Sequence, residues 1–423
     1  MEPYPRTTVA SPSITAEGCD LGLDSSIDSV EGQGISRNWE LRGVESFDPD
    51  ALSAEVRCWY EQLWSVLEFE PRYRHYTALA RSDDLYLYSR SLNTHVTALL
   101  TALRITGDLA LLDEVDRLAQ HMRNALDDSW RGPAVFDADG IDGYLNWVWG
   151  QSHSSVHPGR DLHVTDEMRT HALVAQFAWA FRVNEDLASP NGVDYRERAD
   201  FWTWYLVEHF EAKWRDRMDK PWPEFPFLTR PHTHETFEFV RYNHYLYLLT
   251  GKAQYRTESE RLSGLSFENF EVAQSEVGKA LVVPRSLLAK GGKEDYLLPS
   301  TYVRYVYSSA VDMYFEGVEP WDDVQVIEML AHSLTEFIMD NGSHDFARDM
   351  GGGIARAGVS ASEADDWPRF GPDRFNVSPY VLLAAWDETR KIVNVSKEIY
   401  AETDVNRRDI FIPVGMLVDR AIN

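Results

Sequence analysis

The chain has 423 residues, enough for one large domain or two ordinary ones, and a 44% hydrophobic content is sufficient for a large core. A net charge of −27, from 68 acidic against 41 basic residues, argues against nucleic acid and anionic membrane surfaces as partners. No run approaches the roughly 18 apolar residues that a spanning helix needs, so no membrane span is expected. No N-terminal stretch has the layout of a signal peptide. The expectation is therefore a cytoplasmic protein, or a secreted or periplasmic one whose leader is missing from this chain.

Residues 1–35 are rich in Ser, Thr, Gly, Asp and Pro without a period and read as a flexible N-terminal arm. Cys19 lies in this arm, so a structural bridge to Cys58, the second of the two cysteines, is not expected. A cysteine metal site is excluded by count. Residues 36–423 are expected to form a single domain that is helical almost throughout.

The helices come in pairs. Residues 51–79 give the first hairpin. Residues 85–105 place apolar side chains three and four apart and stop at Thr106-Gly107, where glycine suits a left-handed cap. Asp108 can cap the return helix, 109–126. The pattern repeats: 167–183 is answered by 195–214, 232–249 stops at Gly251 before a return helix, and 300–315 stops at Gly317 before 321–339. A segment at 378–391 and a final helix complete the series. Roughly six or seven hairpins that cannot each bury a face alone must stack on one another. The fold class is therefore all-α, with an (α/α)6 or (α/α)7 toroid, an incomplete barrel, as the expected arrangement and an open α-solenoid as its rival. The first helix of each pair carries the more apolar, aromatic pattern, as an inner ring should.

Two long connections, 130–164 and 342–376, break the rhythm, and long loops in compact domains are usually functional. The first carries Trp147, whose flat ring could stack on a sugar, with Asp161 and His163 as candidate substrate contacts. Asp166 reads as a helix cap.

Candidate chemistry concentrates in 230–251, RPHTHETFEFVRYNHYLYLLTG. Asn243 and His244 project about 100° apart on a helix and can share a ligand lying between them. Neutral donors of that kind can bind a carboxylate, though a buried pair satisfied by backbone is the competing reading. His232, His234 and Glu235 lie toward the start of the same helix. His-x-His suits a metal best on an extended strand, so no metal is expected here. A buried, protonated Glu235 could donate to a substrate carboxylate, and His234 could contact substrate. Across the chain, Tyr302 falls in a first turn and shares a face with Tyr305, whereas Arg304 points elsewhere. Arg285 is a competing cation. Arg90, Asn93, His95 and His171 occupy early turns of other inner helices, with Arg90 and Asn93 as substrate-binding candidates. No glycine-rich phosphate loop follows a strand, so nucleotide chemistry finds no support.

The hairpin series across about residues 50–405, with Asn243-His244-Tyr245 in an inner helix, resembles the α/α-toroid polysaccharide lyases, in particular the alginate and glucuronan lyases. Those alginate lyases carry a similar Asn-His pair followed by an Arg and a Tyr, for which Arg285 or Arg304 and Tyr302 are the candidates here. The resemblance implies β-elimination on an anionic polyuronate without an organic cofactor; a monomer is expected. Tyr302 would act as base and acid, with Asn243, His244, Glu235 and an arginine neutralising the uronate carboxylate. The rival is a glycoside hydrolase on the same toroid, using two carboxylates such as Asp161 and Glu235.

Overall fold

The computed structural model describes Cys19 and residues 53–127, 143–147, 164–217, 232–284, 298, 300–339 and 372–422. Asp161, His163 and Arg285, and most of the two long connections, lie outside them. The described residues are mostly helical, with one two-stranded antiparallel sheet, β1 (Glu271–Gln274) and β2 (Lys279–Val282), in which Glu271 pairs with Val282.

The helices in chain order are α1 (Ala54–Glu68), α2 (Glu70–Ala80), α3 (Leu85–Leu87), α4 (Asn93–Thr106), α5 (Leu109–Asn124), α6 (Val164–Val183), α7 (Tyr195–Trp204), α8 (Ala212–Arg217), α9 (Thr233–Thr250), α10 (Ala253–Glu268), α11 (Ser300–Phe315), α12 (Val324–Ser333), α13 (Pro372–Asn376), α14 (Lys391–Glu402) and α15 (Phe411–Ile422). Wider π-helical turns join α3 to α4 (Tyr88–Leu92) and α7 to α8 (Tyr205–Glu211), and extend α12 (Leu334–Ile338). A 3-10 segment, Pro379–Trp386, stands where the sequence predicts an α-helix.

The stop signals work as their chemistry requires. Gly107 and Gly251 sit at φ 74° and 68°, left-handed positions that a side chain rarely adopts, and each amide returns to a carbonyl of the last turn. Asp108 accepts the amide of Ala110 and starts α5.

Six elements pack in succession: α4 on α6, α6 on α9, α9 on α11, α11 on the 3-10 segment, that segment on α15, and α15 on α4. Each has a second neighbour outside this series, respectively α5, α7, α10, α12, α14 and α1. The core between them is aromatic, with Trp147, Trp202, Trp214 and Trp321 fully buried.

The expectation of no disulfide is wrong. Cys19 and Cys58 are bonded, with Cα atoms 5.6 Å apart, and both are buried. Lack of sequence period in the arm says nothing about whether one of its residues is anchored to α1.

Candidate functional site

Four helical segments bring a polar residue to one cluster. Arg90, Arg169, Glu238 and Tyr305 each stand five residues beyond the first residue of their segment (Leu85, Val164, Thr233 and Ser300). With a rise of about 1.5 Å per residue, Arg169, Glu238 and Tyr305 lie roughly 7.5 Å along their helices from those residues, while Arg90 stands in the π-helical turn. Apolar neighbours surround them, so every polar atom at this level needs a partner inside the protein.

Tyr305 is the centre of this layer. It is buried, at 2% exposure. Arg304 donates from Nη2 to its hydroxyl at 2.7 Å and from Nη1 to Ser378 Oγ at 3.3 Å. Arg90 approaches from the π-helical turn, its guanidinium carbon 5.9 Å from the Tyr305 ring centroid, and such widened turns are often found at functional positions. The third cation, Arg169, places its guanidinium carbon 3.2 Å from the Tyr305 ring centroid. Burial alone would raise the tyrosine, but Arg304, Arg169 and Arg90 outweigh it and bring its pKa down to about 7.

Each arginine is held differently. Arg90 Nε lies 3.3 Å from Asp166 Oδ1, and Ser89 donates to the same carboxylate. Asp166 is therefore the buried counter-ion of Arg90, not the helix cap that the sequence suggests, since α6 already begins at Val164. Arg169 is wholly buried, and its three side-chain nitrogens make no hydrogen bond among the described residues. Its nearest carboxylate oxygen is Glu238 Oε1, 3.8 Å from Nε. Asn93 donates from Nδ2 to the Arg169 carbonyl at 2.7 Å and so fixes α4 against α6 at this level.

Below this layer the ionic chain continues. Glu238 accepts from Arg241 at 2.8 Å, Arg241 donates to Asp312 at 3.0 Å and to Gln176 at 2.7 Å, and Arg104 pairs with Glu316 and Asp312. Among the described residues this network holds five guanidinium groups (Arg90, Arg104, Arg169, Arg241, Arg304) and four carboxylates (Asp166, Glu238, Asp312, Glu316). It is one negative charge short, and Tyr305 stands against the cations that lack a close carboxylate. Buried ion pairs add little stability over well-packed apolar side chains, so packing alone does not account for such a network.

Tyr302, half-buried, stacks on His234 with centroids 4.7 Å apart, and His234 lies 5.9 Å from the His232 ring. The Arg90 guanidinium carbon is 5.8 Å from the Tyr302 ring centroid and 5.6 Å from that of Tyr86. Arg90 and Arg304 are each only partly buried. The half-buried Glu235 follows His234 in the first turn of α9.

Of the residues singled out from the sequence, the structure thus gathers Tyr302, Arg304, His234, Arg90 and Asn93. Arg304 does not point away, because its long side chain folds back over the neighbouring Tyr305 ring, 4.7 Å from the centroid.

Asn243 and His244 are set apart from Tyr302. Asn243 is fully buried and donates to the Phe239 carbonyl of its own helix at 2.9 Å. His244 faces Glu316 at 3.5 Å, at the far end of the ionic chain. Ten residues separate it from His234, or about 15 Å along the axis. Both are thus held by partners away from Tyr302, although Asn243 Oδ1 is buried without a hydrogen bond among the described residues. Trp147 is a core side chain, 1% exposed, donating to the Met122 carbonyl at 2.7 Å and packed on Tyr88 and Tyr205, so it offers no platform to a sugar. His95 and His171 are likewise buried, stacked on Tyr76 and Phe210.

Two central residues were not singled out from the sequence as site residues. Tyr305 was visible only as the face-mate of Tyr302. Arg169 had a signal: it is a cation inside the largely apolar run MRTHALVAQFAWAF, where a solvated position is implausible. Searches against protein-family models, curated proteins and solved structures match nothing.

Proposed function

We propose that the protein is a polysaccharide lyase that cleaves a polyuronate, of the alginate or glucuronan class, by β-elimination, and that its packing series is a closed (α/α)6 toroid. The toroid is supported by the return of α15 to α4, which closes the series, and by the packing of each inner element on a helix outside it. The function rests on one observation: guanidinium groups converge on a pair of tyrosines beside a histidine.

That arrangement suits the chemistry. Removal of the proton at C5 of a uronate is opposed by the adjacent carboxylate, whose charge must first be offset. Arg90 and Arg304 take that role in place of Asn243 and His244. Tyr302, half-buried and flanked by His234 and Arg90, is the base: it releases its own hydroxyl proton to solvent in the course of the reaction and takes the C5 proton. The electron pair forms the C4–C5 double bond, the C4–O4 bond breaks, and Tyr302 returns the proton to the leaving oxygen. Free tyrosine has a pKa of about 10, so such a base depends on a cation close by. No organic cofactor enters this scheme. The acidic surface leaves the arginine site as a local basic pocket for an anionic polymer. The Cys19–Cys58 disulfide fits an oxidising compartment, where such a polymer would be met.

The test is a panel of alginate blocks, glucuronan and glycosaminoglycans, followed by near-ultraviolet absorbance of unsaturated uronates. Appearance of the band with one polymer, and its loss in Tyr302→Phe, is the expected result. Reducing ends without the band would point instead to hydrolysis, with Glu235 and Asp161 as the carboxylates to test. An uncut polymer throughout would end the lyase reading.

A further inference from the structure

The buried network carries one more cation than carboxylates among the described residues, and the group filling that gap is a phenol. Arg304 holds the Tyr305 hydroxyl at 2.7 Å, the Arg90 guanidinium carbon lies 5.9 Å from the ring centroid, and Arg169 covers the ring face. Every Arg169 nitrogen lacks a hydrogen bond among the described residues, although the side chain is fully buried. An orphaned buried guanidinium is costly unless an anion stands close to it.

We propose that Tyr305 is a phenolate in the free protein, the resident anion of a site formed by Arg90, Arg169 and Arg304, and that a ligand carboxylate replaces it there while Tyr305 takes up one proton from solvent. The ligand class rests on the lyase reading, but the exchange itself requires no turnover.

The groups facing Tyr305 are consistent with such an exchange. From its own helix come Arg304 and Tyr302, whose ring centroid is 6.4 Å away. The π-helical turn contributes Arg90, itself paired with Asp166 of α6. From α6 comes Arg169, whose nearest carboxylate is Glu238 of α9. The 3-10 segment and its cap bring Tyr380, an uncharged phenol held well above its ordinary range by burial, and Ser378. Among these described neighbours no carboxylate touches Tyr305 directly, and the three groups nearest its charge are cations. Of the three cations, Arg90, with 17% of its side chain exposed, and the half-buried Arg304 are the ones not fully buried. A planar carboxylate can bind an arginine fork in two-point fashion. Once it does, the guanidinium groups are shared between two anions. The phenolate is the one that can discharge, because a proton removes its charge, whereas the ligand remains a carboxylate at neutral pH.

This exchange gives affinity a defined pH dependence. Binding that takes up one proton weakens about tenfold for each pH unit above the point where the free phenol ionises. Without Tyr305 the same site keeps its charge and binds carboxylate independently of pH around neutrality.

The experiment uses the intact chain with sodium glucuronate as the probe and glucose as the uncharged control. Near-ultraviolet absorbance reads tyrosinate during a pH titration through neutrality. Calorimetry in two buffers of different ionisation heat then reads binding and the protons taken up. The expected result is one tyrosinate forming around neutrality in the free protein, lost on addition of glucuronate but not glucose, with one proton taken up per ligand. Tyr305→Phe should abolish both signals and Tyr302→Phe should keep both. The wild-type measurements decide the matter even if Tyr305→Phe does not fold. A free protein without tyrosinate at neutrality, glucuronate binding without proton uptake, or no binding of glucuronate at all would each overturn the proposal. Proton-linked binding in a protein that cuts no polyuronate would remove the lyase reading and leave the exchange standing. Polyuronate cleavage by a protein lacking the tyrosinate would do the reverse.

Discussion

Arg169 and Tyr305 meet face to face. The guanidinium carbon lies 3.2 Å from the ring centroid, and both side chains are buried. A cation over an aromatic face is attracted to the ring quadrupole, and more strongly where water is excluded. Here the same ring carries a hydroxyl gripped by a second arginine, so the contact stabilises the ionised phenol as well as the packed pair. Burial pulls Arg169 down from its ordinary value, with Tyr305 and then Glu238 opposing it. Each partner therefore favours the charge of the other.

Arg169→Met tests that coupling. Methionine fills a similar volume without charge, and Glu238 keeps its 2.8 Å bond from Arg241, so no carboxylate is stranded. The expected outcome is a folded protein in which Tyr305 ionises at higher pH than in the wild type, read by tyrosinate absorbance. An unchanged titration would show that Arg304 and Arg90 alone set the tyrosine.

Tyr305 also ties stability to pH. Its pKa is about 7 in the folded protein, and about 10 is expected for an unfolded tyrosine. Between those values the unfolded chain carries a proton that the folded chain lacks, so this contribution grows as pH rises. It is complete above the unfolded value and lost as pH falls through the folded one. Urea denaturation at a series of pH values should show this upward component, and Tyr305→Phe should lack it. Parallel curves for the two proteins would rule out an ionised Tyr305.

Much of this framework was legible in the sequence, and the reason is local. Gly107 and Gly251 mark helix ends because left-handed backbone favours glycine wherever it occurs. Tyr302 and Tyr305 share a face because three residues make nearly one turn. The level at which a side chain sits is harder to read. That Arg90, Arg169, Glu238 and Tyr305 meet emerges only when the helices are packed against one another. The same lack of depth made Asn243 and His244 look like neighbours of Tyr302, although His244 pairs with Glu316 three turns further down α9. The 3-10 geometry of Pro379–Trp386 depends on packing against α11 and α15, which no short window records.

The placement of His244 separates two accounts of catalysis. If Tyr302 is the base, Tyr302→Phe should lower kcat on the best polyuronate by about 100-fold to 10,000-fold, the usual range for loss of a general base. His244→Gln, far along the helix, should retain kcat within a few fold while loosening the Glu316 end of the network. Burial would raise Glu316, but Arg104 and then His244 hold it below its ordinary value, so this variant should lose stability at neutral pH and show a smaller further loss in acid than the wild type. Comparable kcat losses in both variants would return His244 to the chemistry.

Gly415 links helix packing to the site. A Cβ at this position of α15 would stand 2.6 Å from both Val381 Cγ1 and the Val381 carbonyl oxygen, far inside van der Waals contact. The side chain could rotate, but the carbonyl belongs to the 3-10 segment and cannot move alone. That segment directly follows Ser378, which accepts a hydrogen bond from Arg304. Gly415→Ala should therefore destabilise by about 1–3 kcal/mol, as overpacking usually does, and shift Arg304 relative to Tyr305. Gly264, in α10, is the control. Nothing lies within 4 Å of its added Cβ, and alanine there should stabilise by about 0.4–1 kcal/mol through helix propensity and a less flexible unfolded chain. Urea midpoints give the two signs, and tyrosinate absorbance shows whether only the Gly415 variant moves Tyr305. A Gly415→Ala protein as stable as the wild type would mean that α15 and the 3-10 segment do not press together as closely as this contact requires.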